Sequence, residues 1–200
     1  MIMLEKYMTV ISKSRLFDGC TDLAEKLPFE FITLDRGNSL SRSEKLCLLL
    51  SGRAASEYLT YDGRRLFVSC LVPSDVCNLS RFVVSSHQNG TVLLLLQKSR
   101  ITDLGDGALL HNLLKISSDS EERLLSRLEC ASMPTLRQKI LTFFRSRSEP
   151  LRIFSVPETR EQLAEYLNAN RSALSRELSL MKKDGIIDYD GNYFKVLKPY

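Results

Sequence analysis

Apolar residues recur along this chain with two different periods, and each change of period marks a change of element. The amphipathic start Leu4–Ile11 and the apolar-spaced stretch Leu16–Leu27 both predict helices. From Phe29 the pattern becomes that of strands. FEFITL reads as one strand, and LCLLL followed by Ser51-Gly52 as a buried strand and a turn. Ala54–Tyr61 and Arg64–Val72 flank Asp62-Gly63, a dipeptide that supplies the positive φ angles of a type I′ turn, and predict a hairpin. Phe82–Ser85 and Thr91–Gln97 flank Asn89-Gly90 and predict a second one. Short strands at regular spacing with glycine turns point to a small antiparallel barrel or jelly roll.

The period then lengthens. From Gly107 to Ala131 there is no proline, and Leu109, Leu113, Ile116, Leu124 and Leu128 recur at steps of three, four or eight. This predicts a helix of about 25 residues, roughly 37 Å long. Leu110, Leu114 and Leu125 widen the stripe, so two sides of the helix need cover. One side can pack on the barrel. For the other, a symmetric seam with a second copy, formed by Leu109, Leu113, Ile116, Leu124 and Leu128, is the economical partner. An internal core helix is the alternative, since Ser117–Glu122 interrupts the heptad with polar residues. Met133-Pro134 ends the helix. Leu136–Arg147 predicts a third helix, with Ile140, Leu141, Phe143 and Phe144 inward. Glu149-Pro150 closes it, and LRIFSV reads as a short strand.

The stretch from Val156 to Val196 is the most specific. Thr159 with Gln162 forms a capping box at the start of a helix Arg160–Leu167 that buries Leu163, Ala164 and Leu167. Asn168-Ala169-Asn170 is a short turn. Asn170 caps a second helix that runs to Lys183, where Asp184-Gly185 stops it. Two short helices joined by such a turn predict a helix-turn-helix. At 100° per residue, Leu174, Leu178 and Met181 share the buried side of the second helix. Ser172, Ser175, Arg176, Ser179 and Lys183 share the opposite side, with Arg171 at its N-terminal flank. That face is small, basic and free of acids, a match to the major groove of duplex DNA, where Arg forks onto guanine and Ser serves several bases. A solvated face on an ordinary three-helix core is the bland alternative. Ile186–Tyr189 and Tyr193–Val196 flank Asp190-Gly191-Asn192 and predict a hairpin wing.

Charge strengthens the picture. The 200 residues carry a net charge of +4, and all of the excess lies at residues 132–200, with 12 basic against 8 acidic side chains. The preceding 131 residues are neutral overall, so a polyanion-binding segment follows a neutral one. The longest apolar runs, Leu46–Leu50 and Val92–Leu96, are five residues each, too short to span a membrane. Glu5 and Lys6 interrupt the place where an export signal would need an apolar core, so a cytoplasmic location is expected. The five cysteines form no CxxC or CxH pair and read as small apolar residues in a reducing compartment.

The segment TREQLAEYLNANRSALSRELSLMKKDGII resembles the C-terminal winged helix of the Crp/Fnr family of bacterial transcription regulators. The rest follows in that family's order: a roll similar to a cyclic-nucleotide-binding domain, a long dimer helix, then the DNA-binding domain. The fold expected is therefore α+β, with a jelly-roll-like antiparallel β-roll at 1–106, a dimerisation helix at 107–131 and a winged helix-turn-helix at 132–200. The resemblance implies a homodimer that binds a pseudo-palindromic site in double-stranded DNA, with RNA polymerase as a further partner. It implies base contacts from Arg171, Ser172, Ser175 and Arg176, and phosphate contacts from Thr159, Arg160, Asn170 and Gly191. Many family members carry a base-reading Glu where this chain has Ser172, so its operator should differ at that base pair.

The sensor half departs further. The family's nucleotide cassette runs Gly-Asp-x-x-Gly-Glu-Leu, followed by an Arg-Ser pair. Here the chain reads Ser74-Asp75-Val76-Cys77-Asn78-Leu79-Ser80, and Ser85-Ser86-His87-Gln88 supplies no arginine. Leu79 stands where a carboxylate would hold the ribose, so neither cyclic AMP nor cyclic GMP is expected to bind. Only Cys20 lies near the N-terminus, against the four ligands of an iron–sulfur centre. His87 or His111 as a haem ligand, and a thiol switch through Cys70 and Cys77, remain open. No cofactor is predicted and the effector is unidentified. Two classes compete with a regulator: a winged helix used for protein contacts, and a cupin-like metal enzyme. The enzyme is disfavoured by two histidines in no HxH arrangement and by the absence of a nucleophile or phosphate-loop motif.

Overall fold

A computed structural model describes residues 2–20, 27–149 and 152–198. The chain divides into two compact units, Met1–Glu121 and Glu122–Tyr200. The first begins with helix α1, Ile2–Ser12, followed by a single 3-10 turn at Arg15–Phe17 that buries Leu16 and Phe17. The helix expected over Leu16–Leu27 is thus replaced at its start by this turn, and residues 21–26 lie outside the described residues.

Eight strands follow: β1 (Glu30–Leu34), β2 (Ser39–Leu40), β3 (Lys45–Ser51), β4 (Ala54–Leu59), β5 (Arg65–Leu71), β6 (Val76–Asn78), β7 (Val83–Ser86) and β8 (Thr91–Gln97). They form two four-stranded antiparallel sheets, β1-β8-β3-β6 and β2-β7-β4-β5, the expected roll. β3 and β8 are apolar without alternation because both of their faces are covered. Leu46, Leu48, Leu50, Val92, Leu94 and Leu96 pack with Tyr7, Ile11, Ile101, Leu109 and Ile116 on one face. The alternate residues Cys47, Leu49, Leu93 and Leu95, also buried, point to the other face.

Of the two expected hairpins, the first forms with a different turn and the second does not form. β4 and β5 do pair, but of Asp62-Gly63 only Gly63 has positive φ, +82°. Gly63 N–H donates to Thr60 C=O (3.0 Å) and Thr60 N–H to Arg64 C=O (2.9 Å). This is a three-residue loop closed by a left-handed glycine, not a type I′ turn. Asn89-Gly90 closes no hairpin at all: β7 pairs with β2 and β4, whereas β8 pairs with β1 and β3. The turn carries the chain from one sheet to the other. It is anchored on the β1–β2 connection, where Arg36 N–H donates to Asn89 Oδ1 (3.0 Å) and Gly90 N–H to Asp35 Oδ1 (3.2 Å).

A short helix α2, Lys98–Leu104, leads into α3, Gly107–Ser132, which spans the division between the units. Leu109 and Ile116 belong to the core of the first unit, and Leu113 packs against it. These three residues therefore face the chain's own roll, which corrects the expectation that they line a seam with a second copy. Of the other two, Leu128 is exposed and Leu124 half-buried. The outward apolar side lies about 140° round the helix from Leu109. It carries Leu114, Leu125 and Leu128, which are 69%, 64% and 66% exposed.

The second unit contains α4 (Leu136–Arg145), β9 (Ile153–Ser155), α5 (Arg160–Tyr166), α6 (Arg171–Lys183), β10 (Ile187–Asp190) and β11 (Tyr193–Val196). α4 stops two residues short of its predicted end and buries Ile140, Leu141, Phe143 and Phe144. The strands form a sheet in the order β10-β11-β9. Its core is aromatic, with Phe144 between Phe154 (5.3 Å) and Phe194 (4.8 Å), and Phe143 against Tyr166 (5.1 Å).

Candidate nucleic-acid interface

Two helix starts define the geometry of the second unit. At α5 the capping box forms in full: Gln162 N–H donates to Thr159 Oγ1 (3.2 Å), and Thr159 N–H to Gln162 Oε1 (2.9 Å). The chain then turns through Asn168, at φ +49°, and Asn170 caps α6 by accepting Ser172 N–H at 2.8 Å. At the far end Gly185 takes φ +66°. Ile186 N–H reaches Met181 C=O (2.9 Å) and Gly185 N–H reaches Lys182 C=O (3.1 Å), a Schellman stop. Both ends of α6 are thus set by local chemistry, and Leu174, Leu178 and Met181 are buried as expected.

The outward face follows. Arg171, Ser172, Ser175, Arg176, Ser179 and Lys183 are all exposed. Among the described residues, Arg171, Arg176 and Lys183 have no carboxylate partner. The acids around them are already engaged: Arg137 pairs with Glu177 (2.6 Å) and Asp184 (2.9 Å), and Lys182 with Asp188 (2.8 Å). Hydrogen bonds from these cations hold the Asp188 carboxyl below its ordinary range and raise the guanidinium of Arg137. The face therefore offers free cations and short hydroxyls over neutralised surroundings, the charge pattern a polyanion selects. Ser179 Oγ turns back to Ser175 C=O (3.0 Å), which leaves Ser172 and Ser175 as the hydroxyls directed outward.

The four residues expected at phosphates are not equivalent. Thr159 and Asn170 are exposed at helix N-termini, where N–H groups and the helix dipole favour anions. Gly191 stands at the tip of the β10–β11 hairpin, φ +55°. Arg160 is half-buried: Nη2 donates to Gly191 C=O (2.9 Å), and the guanidinium lies over the rings of Phe194 and Tyr189. Lys182, Tyr189 and Tyr166 were not singled out by the pattern, and each proves to organise the unit. Lys182 meets Asp188 and Tyr189 on the adjoining strand, and Tyr166 meets Phe143 on α4, contacts that helical or strand periodicity does not mark.

In the first unit the cassette-like stretch is spent on structure. Asp75 Oδ2 accepts Val72 N–H (2.9 Å), residues 76–78 add β6 to the edge of β3, and Leu79 is buried. Arg42 donates twice to Ser80 C=O (3.1 and 2.9 Å). Cys70 sits opposite Ala55 and Cys77 opposite Cys47, so the two cysteines considered for a switch lie on different sheets. Burial pushes the Cys47 thiol well up. Among the described residues no three of His, Cys, Asp and Glu converge as metal ligands.

A roll of two antiparallel sheets, a long helix and a helix-turn-helix with a hairpin wing and an exposed basic face define a winged-helix architecture. A model of the Crp-like helix-turn-helix domain matches residues 123–199. The transcriptional activator protein FnrL of Cereibacter sphaeroides is 28% identical over 165 residues, covering 72% of this chain and 64% of that protein. The match thus spans less than two thirds of the relative's length. The structure of CooA, in a mutant form from Carboxydothermus hydrogenoformans, superposes at TM-score 0.70 with 18% identity, covering 89% of this chain and 87% of that one. FixK2 from Bradyrhizobium japonicum superposes at 0.65, also at 18% identity, covering 86% and 94%. Residues 123–199 thus match a Crp-like helix-turn-helix domain, and the chain is similar in sequence to a transcriptional activator and in fold to these two structures.

Proposed function

We propose that this chain regulates transcription by binding a pseudo-palindromic site in duplex DNA as a homodimer. The observation that carries the proposal is the outward face of α6, with its unpaired Arg171, Arg176 and Lys183 around Ser172 and Ser175, on a helix fixed at both ends. Arg171 and Arg176 with the two serines read bases, while Thr159, Asn170 and the Gly191 tip meet phosphates. Two such helices, related by a two-fold axis, enter successive major grooves about 34–36 Å apart. The three-part division into a roll (1–106), a dimer helix (107–131) and a DNA-binding domain (132–200) is proposed on the same grounds. The outward leucines of α3, Leu114, Leu125 and Leu128 with half-buried Leu124, form the seam with the second copy. RNA polymerase is the further partner and the cytoplasm the location. No helix among the described residues is long and apolar enough to cross a membrane. Cyclic AMP is not the signal, since buried Leu79 stands where the family's cassette carries the carboxylate for a ribose.

The test is fluorescence anisotropy of reduced, ligand-free protein against its own upstream DNA and a scrambled duplex at fixed salt. Wild type should prefer the native duplex. R171A/R176A should lose that preference, each lost arginine contact weakening binding by about 5- to 150-fold. Equal binding of both duplexes by wild type and variant alike would overturn the proposal in favour of a protein-contact module.

A further inference from the structure

Arg160 opens α5 at a place where the family resemblance expects a phosphate ligand, yet its side chain is committed elsewhere. The guanidinium centre is 4.8 Å from the Phe194 ring and 5.4 Å from the Tyr189 ring, and Nη2 donates to Gly191 C=O at 2.9 Å. Among the described residues Nη1, which is buried, has no partner. A guanidinium stays in such a place only if flat contact with the rings and the carbonyl bond offset its lost hydration. Lys182 reaches the same strand from α6. Its Nζ donates to Tyr189 C=O (2.8 Å), pairs with Asp188 (2.8 Å) and lies 4.9 Å from the Tyr189 ring. Two cations from the two helices of the helix-turn-helix thus converge on Tyr189, one residue before the wing turn begins.

We infer that Arg160 and Lys182 are positioning residues that clamp the wing to the helix-turn-helix through Tyr189, and that Arg160 acts on DNA through the Gly191 tip it holds. This rests on the DNA-binding role proposed above and assigns Arg160 a different part in it. A phosphate ligand needs charge within reach, which Lys supplies nearly as well as Arg. A clamp needs a planar fork that covers two rings and reaches a carbonyl, which Lys does not provide.

The experiment compares wild type, R160K, R160Q, Y189L and Y189F by amide hydrogen exchange without DNA, and by DNA affinity as a function of salt. R160K should speed exchange at Gly191, Asn192 and Tyr193 roughly tenfold or more, while the amides of Leu178 and Met181 inside α6 stay protected. It should also weaken DNA binding at least fivefold. Y189L, which removes a ring but no charge, should do the same, and Y189F should behave as wild type. R160K/Y189L should lose no more than the worse single variant, because both break one clamp. The inference is overturned if R160K keeps wild-type wing exchange and affinity. It is equally overturned if R160Q lowers the salt slope by about one with the wing unchanged, the mark of a direct phosphate contact. Failure of wild type to prefer any duplex would count against the DNA-binding role alone, since the exchange measurements test the clamp without DNA.

Discussion

Tyr166 shows how a single side chain couples this unit to pH. Its ring is buried against Phe143, with the Arg127 guanidinium 5.9 Å from its centre, and burial pushes the phenol up to about 12. Burial likewise pushes the neighbouring Cys130 thiol up to about 11. Both groups keep their protons longer in the folded state than in the unfolded one, where the ordinary values are 10.0 and 9.0. Their contribution to stability is therefore complete below about pH 9 and is lost as pH rises towards 12. In denaturant titrations, Y166F should gain on wild type as pH is raised from 10 to 12, and C130A should gain over roughly 9 to 11. A wild-type-to-variant gap that ignores pH would show that neither group titrates on unfolding. The pattern of sequence found Leu163 and Leu167 in this core but passed over Tyr166, because its partners lie on α3 and α4 and no local period points to them. Arg160 escaped for the same reason: its type and place suggested a phosphate, and the rings that hold it are some 30 residues away.

At the scale of elements, what local chemistry controls was legible and what pairing controls was not. Thr159 and Gln162 predicted a capping box that forms, and T159A should cost about 1 kcal/mol in chemical denaturation, with Gln162→Ala costing less. Turn dipeptides behaved differently. Asn89-Gly90 marked a reversal correctly, but which strand the chain meets afterwards is decided by the stacking of two sheets, and it crossed to the other sheet. The long helix teaches the same lesson. Leucines recur on several sides of α3, and only the apolar faces of β3 and β8 select Leu109, Leu113 and Ile116 as the side turned to the roll. L109A should therefore destabilise the protein by about 2–5 kcal/mol without changing its oligomeric state. L125A should leave the melting midpoint at high protein concentration nearly intact and weaken self-association. Sedimentation velocity of the two variants decides between these sides of the helix, and equal effects on association would return Leu109 to the seam.

The proposed dimerisation and DNA binding make a joint prediction for the whole molecule, through the count of phosphates that one complex would neutralise. Besides the base-reading Arg171 and Arg176, each protomer would bring to the phosphates two helix N-termini, at Thr159 and Asn170, the Gly191 tip and the cation Lys183. If three to five phosphates per protomer are covered, a dimer neutralises about 6–10, and log K should fall with log salt at a slope of about −5 to −9. The alternative, one protomer on one groove, keeps every side-chain contact but halves the slope. Replacing Leu114, Leu125 and Leu128 together with Ser removes the outward apolar side of α3 while leaving Leu109 and Ile116 in the core, so the variant should fold as a monomer. Its binding to the native duplex should weaken steeply, and its salt slope should drop to about half that of wild type. R171A/R176A, by contrast, should remain dimeric and lose discrimination between native and scrambled DNA. A triple-Ser variant that is monomeric yet retains the full slope would mean that a single winged helix covers all of the phosphates. The two-fold operator would then have to be abandoned, although α6 could still read bases.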